Sequence, residues 1–223
     1  MNKKILIVAA HPDDEILGAG GTLLKHSMDG DKLYCLILGK GLGARGKASP
    51  AALKKQQRDA SDAGKIIGFE KIFFSNMPDN SFDTVSLLSI TKIVENHLSK
   101  IRPDIVYTHH GGDLNIDHRL AFQAVITASR PCNGDCPKAI YAFETLSSTE
   151  WQADSDQRFV PDVFVDIGKT IDKKIKAMEK YVSEIRKYPH PRSAEGIRTL
   201  ARYRGMESGL EAAEAFCLVR EIR

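Results

Sequence analysis

The sequence predicts an α/β fold with a doubly wound, mostly parallel sheet and helices on both faces. Three observations predict it: short apolar runs rich in β-branched residues, helical patterns between those runs, and polar clusters directly after two of them. Short apolar strands of this kind are typical of a parallel sheet covered on both faces. Their alternation with helices favours βαβ units, so we expect ligands to bind beyond the carboxyl ends of the strands.

The first half of the chain contains four expected strands, separated by three expected helices. The strands lie at residues 5–10, 32–39, 71–74 and 104–108, and the helices at 16–28, 51–67 and 85–99. Beyond residue 117 we expect a helix that ends at Ser129 before Pro131, followed by strands at 139–145 and 163–167. The alternation therefore continues into the second half of the chain.

The C-terminal part is predicted to be helical from about residue 168 to 223. Apolar side chains there repeat at spacings of 4, 3, 4 and 3, which places them on one helical face: Ile171, Ile175, Met178, Val182 and Ile185. A last helix is expected over about 194–218, with a break near Gly205. With 223 residues, the chain is too short for two ordinary domains, so we expect a single domain over residues 1–223.

Composition excludes several classes of protein. Hydrophobic residues make up 42% and charged residues 27%, as in globular proteins. The longest apolar run, residues 5–10, is far below the roughly 20 residues that a membrane span needs. The four cysteines show no CxxC spacing and no export signal precedes them, so we expect a cytoplasmic protein without disulfides.

The net charge of +3 is unevenly distributed. Residues 168–205 contain 11 Lys or Arg against 4 Asp or Glu, a local charge of +7, so the rest of the chain carries −4. Such a stretch is usually a solvated helix face, and no aromatic interleaving indicates a nucleic-acid partner. A small substrate that bears phosphate would suit the stretch equally well.

The first expected strand ends directly in His11-Pro-Asp-Asp-Glu15, and three glycines follow at positions 18, 20 and 21. Their spacing does not match GxGxxG, and carboxylates at a helix start would repel a pyrophosphate. A cation fits there instead. An imidazole and a carboxylate three residues apart, His11 and Asp14, can reach one metal, which leaves Asp13 free as a base.

A second polar cluster, Tyr107-Thr-His-His-Gly-Gly-Asp-Leu-Asn-Ile-Asp-His118, follows the fourth expected strand. If the sheet order is 3-2-1-4-5, the two clusters meet, and one imidazole from this loop completes a set of two histidines and one carboxylate. That set is typical of catalytic zinc, although Fe²⁺, Mn²⁺ or Co²⁺ could bind it. Taken singly, His109 and His110 could also be locally hydrogen-bonded, and Asn115 or Asp117 could be a helix N-cap.

At these residues the chain resembles the PIG-L/LmbE family of zinc-dependent N-acetylglucosamine deacetylases. The family signature Ala-His-Pro-Asp-Asp-Glu stands intact at 10–15, and its second motif is present as Asp117-His118. The resemblance extends along most of the chain. It implies a Rossmann-like sheet, zinc on His11, Asp14 and His118, and Asp13 as general base.

The resemblance also suggests residues that contact the substrate. It implies sugar contacts from Arg58 and Asp79, and we add Arg45 and His190 as candidates. Many members have His-x-Asp-His where this chain has Asn115-Ile-Asp-His118. Asn115 could donate a hydrogen bond to the oxyanion but cannot serve as an acid.

His110 or His190 could replace the missing acid, and Asp117 would orient a neighbouring imidazole. The expected function is removal of an N-acetyl group from a small amino sugar or its conjugate. Two alternatives stay open, an amidase of a thiol-sugar conjugate and a non-catalytic nucleotide- or metal-binding module. The retained Asp13 weighs against the second, and assembly into a homo-oligomer stays open.

Overall fold

The computed structural model of the chain describes residues 2–41, 49–132 and 136–223. Within these ranges, thirteen strands and α-helices alternate as predicted through most of the chain. In order they are β1 (Lys4–Ala9), α1 (Asp14–Met28), β2 (Lys32–Gly39), α2 (Pro50–Ile67), β3 (Phe69–Met77), α3 (Leu87–Ile101), β4 (Ile105–His109), α4 (Ile116–Ala128), β5 (Ala139–Phe143), β6 (Val163–Asp166), α5 (Ile171–Met178), α6 (Ala194–Ser208) and β7 (Ala213–Glu221).

The strands form one sheet of seven in the order β3-β2-β1-β4-β5-β7-β6. The first five pair in parallel, and β7 runs antiparallel to both of its neighbours. The α/β fold class and the order 3-2-1-4-5 are therefore confirmed. Because β1 and β4 are neighbours, the segments that follow them lie side by side at the carboxyl edge of the sheet.

Helices cover both faces of the sheet, as predicted. On one face, α1, α2, α5 and α6 pack over a core that includes Ile5, Ile7 and Phe143, all 0% exposed. On the other face, α3 and α4 pack over a core that includes Leu6 and Val8. Successive residues of β1 thus alternate between two cores, which explains why the whole strand is apolar.

The glycines after the first motif have a packing role. A Cβ on Gly18 would lie 2.2 Å from the ring of Phe143, and one on Gly21 would lie 2.7 Å from Ile167. These distances allow no side chain, so α1 lies directly against the sheet and its neighbours. This close approach places the first turn of α1 at the end of β1.

The prediction of a helical C-terminal portion over about 168–223 was wrong in two places. Helix α5 ends at Met178, so Val182, which the apolar spacing included, is 66% exposed. Helix α6 ends at Ser208 and is capped by Gly209, which has a φ of 72°, and residues 213–221 form β7 rather than a continued helix. The run Glu-Ala-Ala-Glu-Ala has helix propensity, but pairing with β5 and β6 outweighs it.

Within the described ranges, no helix is both long and apolar enough to span a membrane. The cysteines Cys35, Cys132, Cys136 and Cys217 are free thiols.

Candidate metal centre and active site

A cavity opens at the carboxyl edge of the sheet, beyond β1 and β4. Strand β1 leads into the segment 11–14, and β4 leads into the loop that ends with His118 in the first turn of α4. Both segments line the cavity, together with residues 79–80, residues 145–148, Glu184 and Arg192. The two polar clusters of the sequence therefore meet, as the predicted strand order requires.

Three side chains in this cavity converge on one point. Asp14 Oδ2 lies 3.3 Å from His11 Nδ1 and 3.3 Å from His118 Nε2. One ligand atom from each of the three residues lies within 4.8 Å of the others. Two imidazoles and one carboxylate beside an open cavity form the donor set of a catalytic zinc site. The residues present therefore fit a divalent metal ion.

The opposite nitrogen of His11 faces two further carboxylates. His11 Nε2 lies 2.9 Å from Asp117 Oδ2 and 3.4 Å from Asp79 Oδ1. These three residues form a second group that could hold a metal. However, Asp117 Oδ1 also accepts a hydrogen bond from the backbone N–H of Phe82 at 2.9 Å. Asp117 is thus held against the imidazole of His11, and its role in orienting a metal-binding imidazole stays a prediction.

His118 has a comparable partner in Asp113, which the sequence analysis did not single out. His118 Nδ1 lies 3.1 Å from Asp113 Oδ1. Asp113 is fully buried and accepts hydrogen bonds from the hydroxyls of Ser148 and Thr149 and from the backbone N–H of Asn115. Burial alone would raise the pKa of Asp113, but its contacts with His118, Ser148 and Thr149 outweigh burial and lower it to about 2. An ionised carboxylate therefore lies against Nδ1 of His118.

Without a cation, both imidazoles of the set hold protons. Burial lowers the pKa of His11, but contacts with Asp117 and Asp14 outweigh burial and raise it to about 10. Burial likewise opposes protonation of His118, but Asp14 and Asp113 raise its pKa to about 9. A metal ion would therefore displace protons when it binds.

His109 lies in the same cluster but has a different role. Its ring stacks on that of His118 at 3.9 Å, and its Nε2 accepts a hydrogen bond from the backbone N–H of Ala10 at 2.9 Å. Burial and the neighbouring charge of His118 lower the pKa of His109 to about 4. The ring is therefore neutral, and Nε2 is occupied. His109 therefore packs against His118 and positions it. His109 is a locally hydrogen-bonded histidine at the end of a strand.

Asp13 lies beside the metal set but outside it. Its φ of 110° is a conformation that side chains rarely adopt, and its backbone N–H donates to Glu15 Oε2 at 3.0 Å. Arg192 Nη1 lies 3.2 Å from Asp13 Oδ2 and 3.0 Å from Glu184 Oε2. Burial and the charge of Asp14 raise the pKa of Asp13, although Arg192 opposes them. The structure thus contains a buried carboxylate that is more basic than an ordinary aspartate.

Asn115 and His110 occupy different surroundings. Asn115 lines the cavity, caps α4 by accepting from the N–H of Asp117 at 2.8 Å, and donates from Nδ2 to Asn80 at 3.0 Å. Both sequence interpretations of Asn115, helix cap and site residue, are therefore compatible. His110 Nε2 donates to the carbonyl of Gln157 at 2.8 Å, and His110 does not line the cavity within the described residues.

The four residues predicted to contact the substrate do not all lie at the cavity. Asp79 lines the cavity, whereas Arg58 is exposed on α2 and lies outside the described lining. His190 is partly buried, with its ring near that of Trp151, and does not belong to the described lining either. Arg45 lies outside the described residues.

Arg192 and Glu184 are site residues that the sequence analysis missed. They come from the segment between α5 and α6, within the basic stretch that we assigned to a solvated surface. The polar segment Pro-His-Pro-Arg-Ser before α6 was the available signal, and it drew attention to His190 rather than to Arg192.

Carboxylates outnumber the positive groups that line the cavity. Among the described residues of the lining, Asp13, Asp14, Asp79 and Glu184 are carboxylates, whereas Arg192 and the protonated His11 and His118 are positive. A divalent cation would offset part of this excess, whereas a phosphate group would increase the repulsion.

A doubly wound sheet with this donor set at its switch point, and a basic carboxylate next to it, is the arrangement of a metal-dependent hydrolase. The chain belongs to the PIG-L family, whose model is described as GlcNAc-PI de-N-acetylase and matches residues 6–129. The family resemblance inferred from the two motifs is thereby confirmed.

Three known proteins illustrate the similarity. The chain is 27% identical to diacetylchitobiose deacetylase of Thermococcus kodakarensis, over 97% of this chain and 83% of that one. It is also 27% identical to 4-oxalmesaconate hydratase of Pseudomonas putida, over 79% and 72%. The crystal structure of the conserved protein TT1542 from Thermus thermophilus superposes with a TM-score of 0.79 at 23% identity, covering 99% and 96% of the two chains. The last similarity supports the fold.

Proposed function

We propose that this chain is a zinc-dependent hydrolase that removes the N-acetyl group from an N-acetylglucosamine-type amino sugar or its conjugate. The observation that carries the proposal is the convergence of His11, Asp14 and His118 within 4.8 Å, with Asp13 beside them and outside the set. The name of the Thermococcus relative supports an N-acetylated amino sugar as the substrate.

Asp13 is the proposed proton carrier. In amide hydrolysis, water adds to the carbonyl carbon, the C–N bond breaks, and one proton moves from the water to the departing nitrogen. Asp13 accepts that proton and returns it to the amine, since general acid–base groups work in both directions. Its burial and its distance of 3.2 Å from Arg192 hold the carboxylate in place.

A divalent ion on His11, Asp14 and His118 would polarise the amide carbonyl and lower the pKa of an attacking water. Zn²⁺ suits two imidazoles and one carboxylate, and Fe²⁺, Mn²⁺ and Co²⁺ are the alternatives. Asp117 contacts the imidazole of His11 and Asp113 contacts that of His118, each at the ring nitrogen that does not face Asp14.

Asn115 is the proposed donor to the amide oxygen, on which negative charge develops. One Nδ2 hydrogen is bonded to Asn80, which leaves the second for the substrate. Removal of one such donor typically costs roughly 10²–10³ in rate. Since His110 points to Gln157, we assign no acid role to it.

The acidic cavity favours a neutral acetylated sugar and a cationic amine product. We therefore propose a substrate whose reacting ring bears no phosphate, in place of the phosphate-bearing sugar that the basic stretch suggested. The free thiols support a reducing compartment, and we propose the cytoplasm.

The test couples metal analysis to product analysis. Purified protein is incubated with N-acetylglucosamine, its nucleotide-linked form and N,N′-diacetylchitobiose, and both acetate and free amine are measured. We expect one amine per acetate, loss of activity with chelator, and recovery with Zn²⁺. A metal-loaded protein that releases acetate from none of these substrates would contradict the proposal.

Three variants separate the roles. His118→Ala should lose both metal and turnover, whereas Asp13→Asn should keep the metal and lose about 10²–10⁴ in kcat. Asp29→Asn, an exposed carboxylate at the far end of α1, is the control and should match the parent protein. Normal turnover in metal-loaded Asp13→Asn would rule out Asp13 as the base.

A hydratase is the competing function, because one relative is named 4-oxalmesaconate hydratase. Such an enzyme adds water across a carbon–carbon double bond and releases no amine. Loss of the conjugated absorbance of 4-oxalmesaconate, without acetate release from any amino sugar, would favour it.

A further inference from the structure

The largest aromatic side chain of the molecule is exposed beside the cavity. Trp151 is 52% exposed, and the neighbouring segment contributes Tyr188 at 60%. Exposed apolar side chains are ordinary when they occur singly. Trp151 does not belong to the described cavity lining, but its backbone and its ring both contact segments that contribute residues to it.

The backbone contact is to the segment 145–148. The N–H of Trp151 donates to the carbonyl of Ser148 at 3.2 Å. The preceding residue, Glu150, accepts from the N–H groups of Ser147 and Ser148 at 2.6 and 3.1 Å. Ser147 and Ser148 both line the cavity. A short, hydrogen-bonded turn thus fixes the backbone of Trp151 relative to the cavity wall.

The ring contact is to the segment before α6. The rings of Trp151 and His190 lie 6.4 Å apart at 78°, an edge-to-face arrangement. His190 Nδ1 accepts from the backbone N–H of Arg192 at 3.1 Å. Arg192 lines the cavity and contacts Asp13. The contact between Trp151 and His190 therefore joins two segments that each contribute residues to the cavity wall.

We propose that Trp151, supported by His190, forms a binding subsite for a second sugar ring of the substrate. An aromatic face presents an apolar surface to the C–H groups of a pyranose, while the indole N–H and the imidazole offer hydrogen bonds to its hydroxyls. The subsite rests on the proposed function, and it makes a disaccharide or larger glycoside a better substrate than a free monosaccharide.

Binding can be measured without turnover because Trp151 is the chain's single tryptophan. Metal-loaded Asp13→Asn protein is titrated with N-acetylglucosamine and with N,N′-diacetylchitobiose while indole emission is followed. We expect the disaccharide to change the emission and saturate at a concentration about tenfold lower than the monosaccharide does. An emission that is unchanged by the disaccharide while calorimetry detects its binding would overturn the subsite.

Turnover gives a second test. In Trp151→Ala, the ratio of kcat/KM for the disaccharide to that for the monosaccharide should fall about tenfold, mainly through KM. Trp151→Phe, which keeps an aromatic face, should restore most of the ratio. The control is Met28→Ala, since Met28 is 65% exposed and lies about 21 Å along α1 from Asp14.

The results separate the two proposals. A parent protein that hydrolyses both sugars, with an unchanged ratio in Trp151→Ala, refutes the subsite and leaves the deacetylase intact. An emission change that saturates with the disaccharide, in a protein that releases no acetate, supports the subsite and contradicts the hydrolase.

Discussion

Two clusters of buried charge contact α1, and they are built differently. Along the middle of the helix, Lys174 Nζ lies 2.6 Å from Glu214, which also accepts from the N–H groups of Gly21 and Thr22. Lys174 in turn donates to the carbonyl of Leu17 at 2.8 Å. Each charge in this cluster has an opposite charge and further hydrogen bonds, so the cluster is complete without a ligand.

At the start of the same helix the charges do not balance. Carboxylates outnumber the positive groups around His11 and His118, and the cluster opens into a cavity. Burial of charge therefore does not by itself indicate function. A buried pair with complete partners holds elements together, whereas an unbalanced group beside a cavity is suited to bind a cation.

The largest effect should come from breaking the balanced pair. Lys174→Met leaves Glu214 buried without its counter-charge, which should lower the free energy of unfolding by roughly 3–5 kcal/mol. Denaturant unfolding of metal-free protein measures it. The control, Arg198→Met, breaks the exposed pair with Asp172 and should cost about 0–1 kcal/mol. Equal losses in the two variants would remove the distinction between the clusters.

In the unbalanced cluster at the start of α1, the affinity for a metal ion should depend on pH. His11 and His118 have raised pKa values of about 10 and about 9, so both are protonated at neutral pH and must lose protons to bind an ion. Affinity for Zn²⁺ should therefore rise with pH between 6 and 8, by up to about 100-fold per unit for two protons. Competition with a chelator of known affinity measures this, and equal affinities at pH 6 and 8 would contradict it.

Asp113 tests how far the metal site depends on residues that support its ligands. Asp113→Asn removes the ionised partner of His118 Nδ1, which should weaken metal affinity about 10–100-fold. Asp29→Asn again serves as the control. An unchanged zinc dissociation constant would show that Asp113 does not support the metal site.

The smallest effect concerns the backbone of Asp13. Glycine adopts a φ of 110° without strain, so metal-free Asp13→Gly should gain about 1 kcal/mol in the free energy of unfolding while losing turnover. Asp13→Asn removes the same charge but keeps a side chain, and it separates charge repulsion from backbone strain. If the two variants are equally stable, the gain in the free energy of unfolding comes from loss of the Asp13 charge alone.

Local patterns were sufficient for much of the fold. Strand β2 was predicted with its observed bounds, because a buried parallel strand is apolar along its whole length. Strand β7 was missed because the alanine-rich segment 212–215 has helix propensity, and only its pairing with β5 and β6 makes it a strand. Helix α5 was predicted too long because apolar spacing continued beyond Met178 into turns.

For the site, the sequence predicted the residues that lie close together more successfully than it predicted the role of each residue. His11, Asp14 and His118 follow adjacent strands, so their convergence could be inferred from topology. The different surroundings of His109 and His110 could not be inferred in this way, because they depend on which of the two imidazoles the sheet buries. Arg192 reaches Asp13 across 179 positions of sequence, a separation at which local patterns carry no information.

Strand β7 also bears on synthesis of the molecule. It pairs with β5 on one side and β6 on the other, and its Glu214 holds the backbone of α1 near the opposite end of the sequence. A nascent chain from which residues 213–221 have not yet emerged therefore lacks the strand that joins β6 to the sheet and the carboxylate that anchors α1. We expect the nucleus of parallel strands β1 to β4 to form during translation, and α1 to be secured only after residues 213–221 have emerged.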